Sequence, residues 1–176
     1  MRTIHKLPRW DELPDFGLYM DQVLAIVAKY LPNPEEKPLT SSMVNNYVKM
    51  GVMPAPVKKK YSRIHIAHLI VICVMKSALS ISAICRVIEN ELLADSDETF
   101  YNRFCELYEQ VNATVAEAAA KIAGASESTA DRLKQNVLHA ALRAQAEQAQ
   151  AQHALSRLFD EMKCPEPEGQ KDAKKE

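Results

Sequence analysis

The stretch that decides the fold is Thr40-Ser41-Ser42-Met43-Val44-Asn45-Asn46-Tyr47-Val48-Lys49-Met50-Gly51-Val52-Met53-Pro54-Ala55-Pro56-Val57-Lys58-Lys59-Lys60-Tyr61-Ser62-Arg63. Thr40 or Ser41 caps a short helix whose apolar side carries Met43, Val44, Tyr47 and Val48 at helical spacing. Its other side is left with Ser41, Ser42, Asn45, Asn46 and Lys49. Gly51 stands where a helix ends on a left-handed residue. Pro54 and Pro56 hold the next residues extended, and Val57 and Tyr61 have strand propensity. The pattern predicts a short polar helix followed by a basic, hairpin-like arm.

Helices are expected on both sides of this stretch. Leu18, Val23, Ile26, Val27 and Tyr30 share a stripe, which predicts a first helix from about Asp15 to Leu31, ended by Pro32 and Pro34. Ser62 caps a third helix with Ile66, Leu69, Ile70, Cys73 and Val74, and Ser80 a fourth with Ile81, Ile84, Cys85 and Ile88. Ser96 or Asp97 starts a long helix carrying Phe100, Phe104, Leu107, Val111, Val115, Ala118 and Ile122, which Gly124 and Ser126 break. From about Glu127 to Met162 a further helix places Val137, Ala141, Ala144, Gln148, Ala151, Leu155, Leu158 and Met162 at alternating spacings of four and three. That is a coiled-coil seam with one polar position, and its many alanines admit a close partner helix. Four glycines in 176 residues suit this reading. The chain is thus mainly α, divided into 1–94, a helical region over 95–163 (a hairpin or a coiled coil), and a disordered tail over 164–176.

The formal net charge of −1 hides a strong asymmetry. Residues 1–36 carry a net −2 and residues 89–176 a net −7. Between them, Lys37, Lys49, Lys58, Lys59, Lys60, Arg63, Lys76 and Arg86 stand in a 52-residue segment with no acid at all. A local +8 between acidic flanks is the footprint of an anionic partner.

Other classes find little support. Pro8, Trp10, Asp11 and Glu12 stand where a secretory leader needs an apolar run, and the longest apolar run, Leu69 to Met75, is far short of a bilayer span. Cys73, Cys85, Cys105 and Cys164 lack CxxC spacing, so reduced thiols in a cytoplasmic protein are expected, without membrane association. His65 and His68 lie three apart, but no Cys or carboxylate joins them at ligand spacing, so neither a metal nor a cofactor is expected. No Gly-rich phosphate loop, HExxH, nucleophile elbow or convincing carboxylate pair is present, which argues against an enzyme.

Asparagines on a short helix can bond adenine edges in a major groove, and closely spaced lysines can neutralise the adjacent phosphates. Ser42 to Val52 resembles the recognition helix of the MerR family of winged helix-turn-helix regulators. Lys58-Lys59-Lys60-Tyr61-Ser62 resembles that family's wing end, a Tyr-Arg-x-Tyr-Ser pattern, and Leu69 to Ile81 resembles its next helix pair. The resemblance covers about 40–90, extends to bacterial proteins with such a core and a helical C-terminal half, and lets 17–31 serve as the first helix of the motif. Tyr47, Gly51 and Tyr61 match the family's tyrosine, helix-ending glycine and wing tyrosine. Lys49 and Lys59 stand in place of arginines, keeping charge but not the bidentate fork, and Asn45 and Asn46 stand in place of an Arg and a Tyr.

The resemblance implies sequence-specific binding of double-stranded DNA by a dimeric transcriptional regulator. Ser41, Ser42, Asn45, Asn46, Tyr47, Lys49, Lys58, Lys59, Lys60, Tyr61 and Arg63 are then the contacting residues, with His65 near enough to the wing to touch phosphate. Val137, Ala141, Ala144, Ala151, Leu155 and Leu158 are the expected dimerisation residues of a homodimer. The alternative is an adaptor whose basic domain docks an acidic protein partner. Phe100, Phe104 and Tyr108 read either as packed core or as the lining of a pocket for a small-molecule effector.

Overall fold

The structure is a computed structural model and describes residues 6–31, 38–123 and 129–161. A 3-10 turn, Trp10–Glu12, precedes six helices: α1 (Met20–Tyr30), α2 (Ser41–Lys49), α3 (Arg63–Met75), α4 (Ile81–Ala94), α5 (Asp97–Ala123) and α6 (Thr129–Glu161). The chain is mainly helical, and among the described residues extended pairing is limited to two isolated antiparallel bridges, Val57 with Lys60 and Leu18 with Tyr61. The tail expected over 164–176 lies outside the described residues.

Helix α1 starts five residues later than its apolar stripe predicts. Leu18 is held elsewhere: its N–H donates to the Tyr61 carbonyl and its carbonyl accepts from the Tyr61 N–H, both at 2.8 Å. That reciprocal pair keeps the approach to Tyr19 extended, and Tyr19 begins the helix by donating its N–H to Gln22 Oε1 at 2.9 Å. Helix α2 opens on Thr40, whose hydroxyl accepts the Met43 N–H at 3.3 Å. It closes in a Schellman turn: Val52 N–H donates to the Tyr47 carbonyl at 3.0 Å and Gly51 N–H to the Val48 carbonyl at 3.1 Å, with Gly51 at φ +76°.

Helix α3 is the centre of the fold. His65 to Cys73 are all buried, so over this stretch the helix is covered on every side. It packs against α1, α4 and α5. Ser80 caps α4 by accepting the Ala83 N–H at 3.2 Å, and Ile84 and Ile88 turn inward. The first turns of α5 complete the same core with Phe100, Tyr101 and Cys105. The boundary expected after Ala94 therefore does not separate two bodies, because the residues just beyond it are buried with α1 and α3. The N-terminal segment seals this side: Arg9 pairs with Glu109 at 3.1 Å, Trp10 N–H donates to Asn102 Oδ1 at 3.0 Å, and Cys105 Sγ lies 3.5 Å from the Pro8 carbonyl.

The chain divides into two units, Met1–Asn136 and Val137–Glu176. In the second, the described residues continue α6, a helix about 50 Å long in all. Along the expected seam Val137, Ala141, Ala144 and Ala151 are exposed and Leu155 and Leu158 half-buried, so its period is present while most of its positions are uncovered. None of the helices among the described residues is long and apolar enough to cross a membrane.

Gly51 tests the local reading of this fold. A β-carbon there meets nothing within 4 Å, so only the left-handed backbone resists substitution. Gly51→Ala is expected to lower unfolding stability by about 1–2 kcal/mol, measured as a shift in denaturant midpoint with an unchanged slope.

Candidate nucleic-acid interface

Helix α2 turns Val44 and Tyr47 into the core and leaves Ser41, Ser42, Asn45, Asn46 and Lys49 exposed. The exposed set is polar and carries one cation and no acid. Asn46 Nδ2 lies 3.4 Å from Met50 Sδ, which orients one of the two amides along the helix. Asparagine at such positions offers a donor and an acceptor side by side, the pattern that matches an adenine edge.

The arm that follows is the smallest hairpin a chain can make. Val57 and Lys60 exchange both backbone hydrogen bonds, at 3.1 and 2.9 Å, around a two-residue turn formed by Lys58 and Lys59. Both turn residues have positive φ, +50° and +62°. Two left-handed residues in succession define the type I′ turn, which favours Asn-Gly because a β-carbon in this region costs about 1–2 kcal/mol. Here lysine occupies both positions, and both side chains are exposed together with Lys60. Local propensity alone would not place lysines there.

His65 supports this arm from below. Ser62 donates its backbone N–H to His65 Nδ1 at 2.9 Å, and the Tyr61 ring meets the imidazole edge-on with centroids 5.2 Å apart. Burial holds the imidazole below its ordinary pKa of 6.5, while the nearby Ala55 backbone pulls the other way and the His68 ring adds to the lowering. One helical turn further, His68 Nε2 donates to Asp97 Oδ1 at 2.7 Å and ties α3 to the start of α5.

Eight of the eleven expected contact residues are thus at the surface: Ser41, Ser42, Asn45, Asn46, Lys49, Lys58, Lys59 and Lys60. Tyr47 and Tyr61 are corrections. Each is only 4% exposed, because the apolar side of α2 and the inner face of the arm need large rings to fill the core, and burial raises the pKa of both phenols. Arg63 is a third: its Nε donates to the Leu13 carbonyl at 3.1 Å, its guanidinium stacks on Trp10, and it reaches Asp15 at 3.7 Å. It fastens the N-terminal segment to α3. His65, at 4% exposed, is buried rather than open to a phosphate.

Other sequence candidates are placed as follows. Cys73 and Cys105 are buried, and burial raises the thiol pKa of Cys105. Phe100, buried in the core, and half-buried Phe104 and Tyr108 all line an open apolar groove of about 360 Å³ shared with Met75, Leu107 and Val111. Among the described residues no group of three or more His, Cys, Asp or Glu is arranged to hold a metal ion. Exposed Phe16, Tyr19 and Val57, none of them among the expected contact residues, lie on the two segments joined by the Leu18–Tyr61 bridge.

These features describe a mainly helical protein that presents a polar helix and a cationic two-residue turn from one core. Residues 8–111 match the family described as Domain of unknown function (DUF1836), and the chain belongs to that family. Neither the comparison with curated proteins nor that with solved structures yields a match.

Two outcomes follow from the geometry. Replacing the turn by Lys58→Asn with Lys59→Gly is expected to raise unfolding stability by about 1–2 kcal/mol in chemical denaturation. His65 gives a pH signature. Its folded pKa is lowered, so its contribution is complete above the ordinary value of 6.5 and declines as pH falls below it, where the unfolded chain takes up a proton the folded one resists. His65→Gln should therefore flatten the stability curve on the acid side of that value, read as the difference between variant and wild-type melts.

Proposed function

We propose that the protein is a sequence-specific, double-stranded-DNA-binding transcriptional regulator built on a winged helix-turn-helix and acting as a homodimer. The observation that carries this reading is the Lys58-Lys59 turn, two lysines in left-handed backbone where the fold itself is better served by Asn-Gly. Strain kept at such a place calls for a use of the side chains that cause it. The turn lies in the acid-free 37–88 segment, nine residues beyond Lys49 at the end of α2. Even at full extension that stretch spans only about 30 Å, less than the roughly 34 Å of one duplex turn, so one binding event can engage both.

In the proposed complex α2 enters a major groove with Asn45 and Asn46 toward the base edges, while Ser41, Ser42 and Lys49 reach bases or phosphates. Lys58, Lys59 and Lys60 neutralise the neighbouring backbone. Two copies paired along the α6 seam would present two such helices to a near-palindromic site. Tyr47, Tyr61 and Arg63 act by holding this surface in shape.

Anisotropy titration against labelled duplexes over a series of salt concentrations tests the reading. Replacing Lys58, Lys59 and Lys60 by Gln should weaken binding and reduce the slope of log affinity against log salt by about 0.9 for each phosphate no longer neutralised. Asn45→Ala and Asn46→Ala should leave that slope in place and cost about 1–3 kcal/mol of discrimination at a preferred site selected from genomic fragments. Affinity insensitive to salt and to the lysine changes would sink the proposal. Recovery of a nuclease-resistant acidic protein in place of DNA would favour the adaptor.

A further inference from the structure

The bridge between Leu18 and Tyr61 sorts the side chains around the arm by the alternation of extended chain. Leu18 and Tyr61 face inward, at 2% and 4% exposed. Their neighbours Tyr19 and Lys60 are exposed, and Val57, the direct partner of Lys60, stands out with it. Gly17 leaves room for the Lys60 stem: a β-carbon at Gly17 would come within 2.9 Å of Lys60 Cδ. The stem therefore crosses Gly17 and brings Nζ to 5.7 Å from the centroid of the Tyr19 ring.

Exposed apolar side chains therefore stand near the foot of a cationic turn. Val57 is 72% exposed, Phe16 65% and Tyr19 58%. Large side chains are exposed to this degree on two segments fixed to each other by backbone hydrogen bonds, with Lys58, Lys59 and Lys60 beside them. Of the acids next to this stretch, Asp15 is turned toward Arg63 and Asp21 lies in the first turn of α1. One ammonium over an aromatic face, with two more exposed on the adjoining turn, complements a partner that is anionic and also offers flat apolar surface. A sugar–phosphate backbone offers both, the deoxyribose faces lying next to the phosphates.

We propose that Tyr19, with Val57 across Lys60 from it, is an aromatic shoulder of the arm that packs against the sugar faces of duplex DNA while Lys60 swings from the Tyr19 ring to the adjoining phosphate. The inference rests on the DNA-binding reading and adds a second kind of interaction to it, one that neutralises no phosphate. Lys60 keeps the ring oriented in the free protein and gives up a weak cation–π interaction for a phosphate on binding. Tyr19 therefore contributes affinity without contributing to the salt slope.

The test uses the full chain and a fluorescein-labelled duplex two helical turns long, with wild type, Tyr19→Ala, Tyr19→Phe, Phe16→Ala and the triple lysine-to-glutamine variant. Because Phe16 and Tyr19 are exposed, thermal melts of their variants should match wild type, which separates weaker binding from unfolding. Tyr19→Ala should weaken binding about tenfold with an unchanged salt slope, and Tyr19→Phe should bind as wild type does. Phe16→Ala, an equally exposed ring on the other parity of the alternation, should bind as wild type does. Wild-type affinity in Tyr19→Ala, together with a reduced salt slope in the lysine variant, would remove the shoulder and leave the DNA reading standing. Absence of duplex binding by wild type at every salt concentration would remove both. Binding of an acidic peptide in place of the duplex, abolished in Tyr19→Ala, would also overturn the proposal and give the patch to a protein partner.

Discussion

Two hydrogen bonds between Leu18 and Tyr61, each 2.8 Å, hold the part of the molecule on which any function of the arm depends. A lone two-residue hairpin is marginal in water, and this one also carries two left-handed lysines. It cannot be stable on its own account. The pair with Leu18 gives the returning strand a second neighbour, and the buried Tyr61 ring anchors it on the core. Ser62 and His65 then join the strand to α3 through the hydrogen bond to Nδ1. Because α3 is buried on every side, the arm is mounted on the least yielding element of the fold.

What was legible in the sequence follows from how local each signal is. Thr40, Gly51, Ser62 and Ser80 act within one helical turn, and each stands at the helix end where its chemistry puts it. The start of α1 was not legible, because the partner that keeps Leu18 extended is 43 residues away. The stripe through Leu18 fits a helix equally well. The hydrogen bond between His68 and Asp97 was hidden for the same reason, as was the continuity of the core into α5. Periodicity identified α6 as a helix with a seam, but a period carries no information about whether the seam is covered within one chain.

The candidate surface divides along a similar line. Small polar and singly charged residues on α2 and the arm lie outside as their residue types suggest, since nothing pulls them in. Tyr47, Tyr61 and Arg63 are amphipathic, with apolar bodies and polar ends, and residue type does not say which part will dominate. All three are used for their bodies or for internal partners, the two rings in the core and the guanidinium against Trp10 and Leu13. Tyr19 shows the converse: residue type says nothing of its exposure, and it is the pairing of Leu18 with Tyr61 that sets the alternation leaving Tyr19 outside.

The charge pattern gains meaning from this geometry. A segment without acids could simply be a solvated surface, and three consecutive lysines in a loop carry little information by themselves. In this chain the loop is a tight turn whose backbone is unfavourable for lysine, and its only evident folded-state remedy is removal of those lysines. Sequences tend to satisfy local and global preferences together, and departures cluster where something other than stability is served. The arm departs from that agreement at two adjacent positions, both cationic and both exposed, on a mount that the rest of the core makes rigid. The combination of strain, charge and firm support argues for recognition of an anion by the arm more strongly than the +8 of the segment does alone.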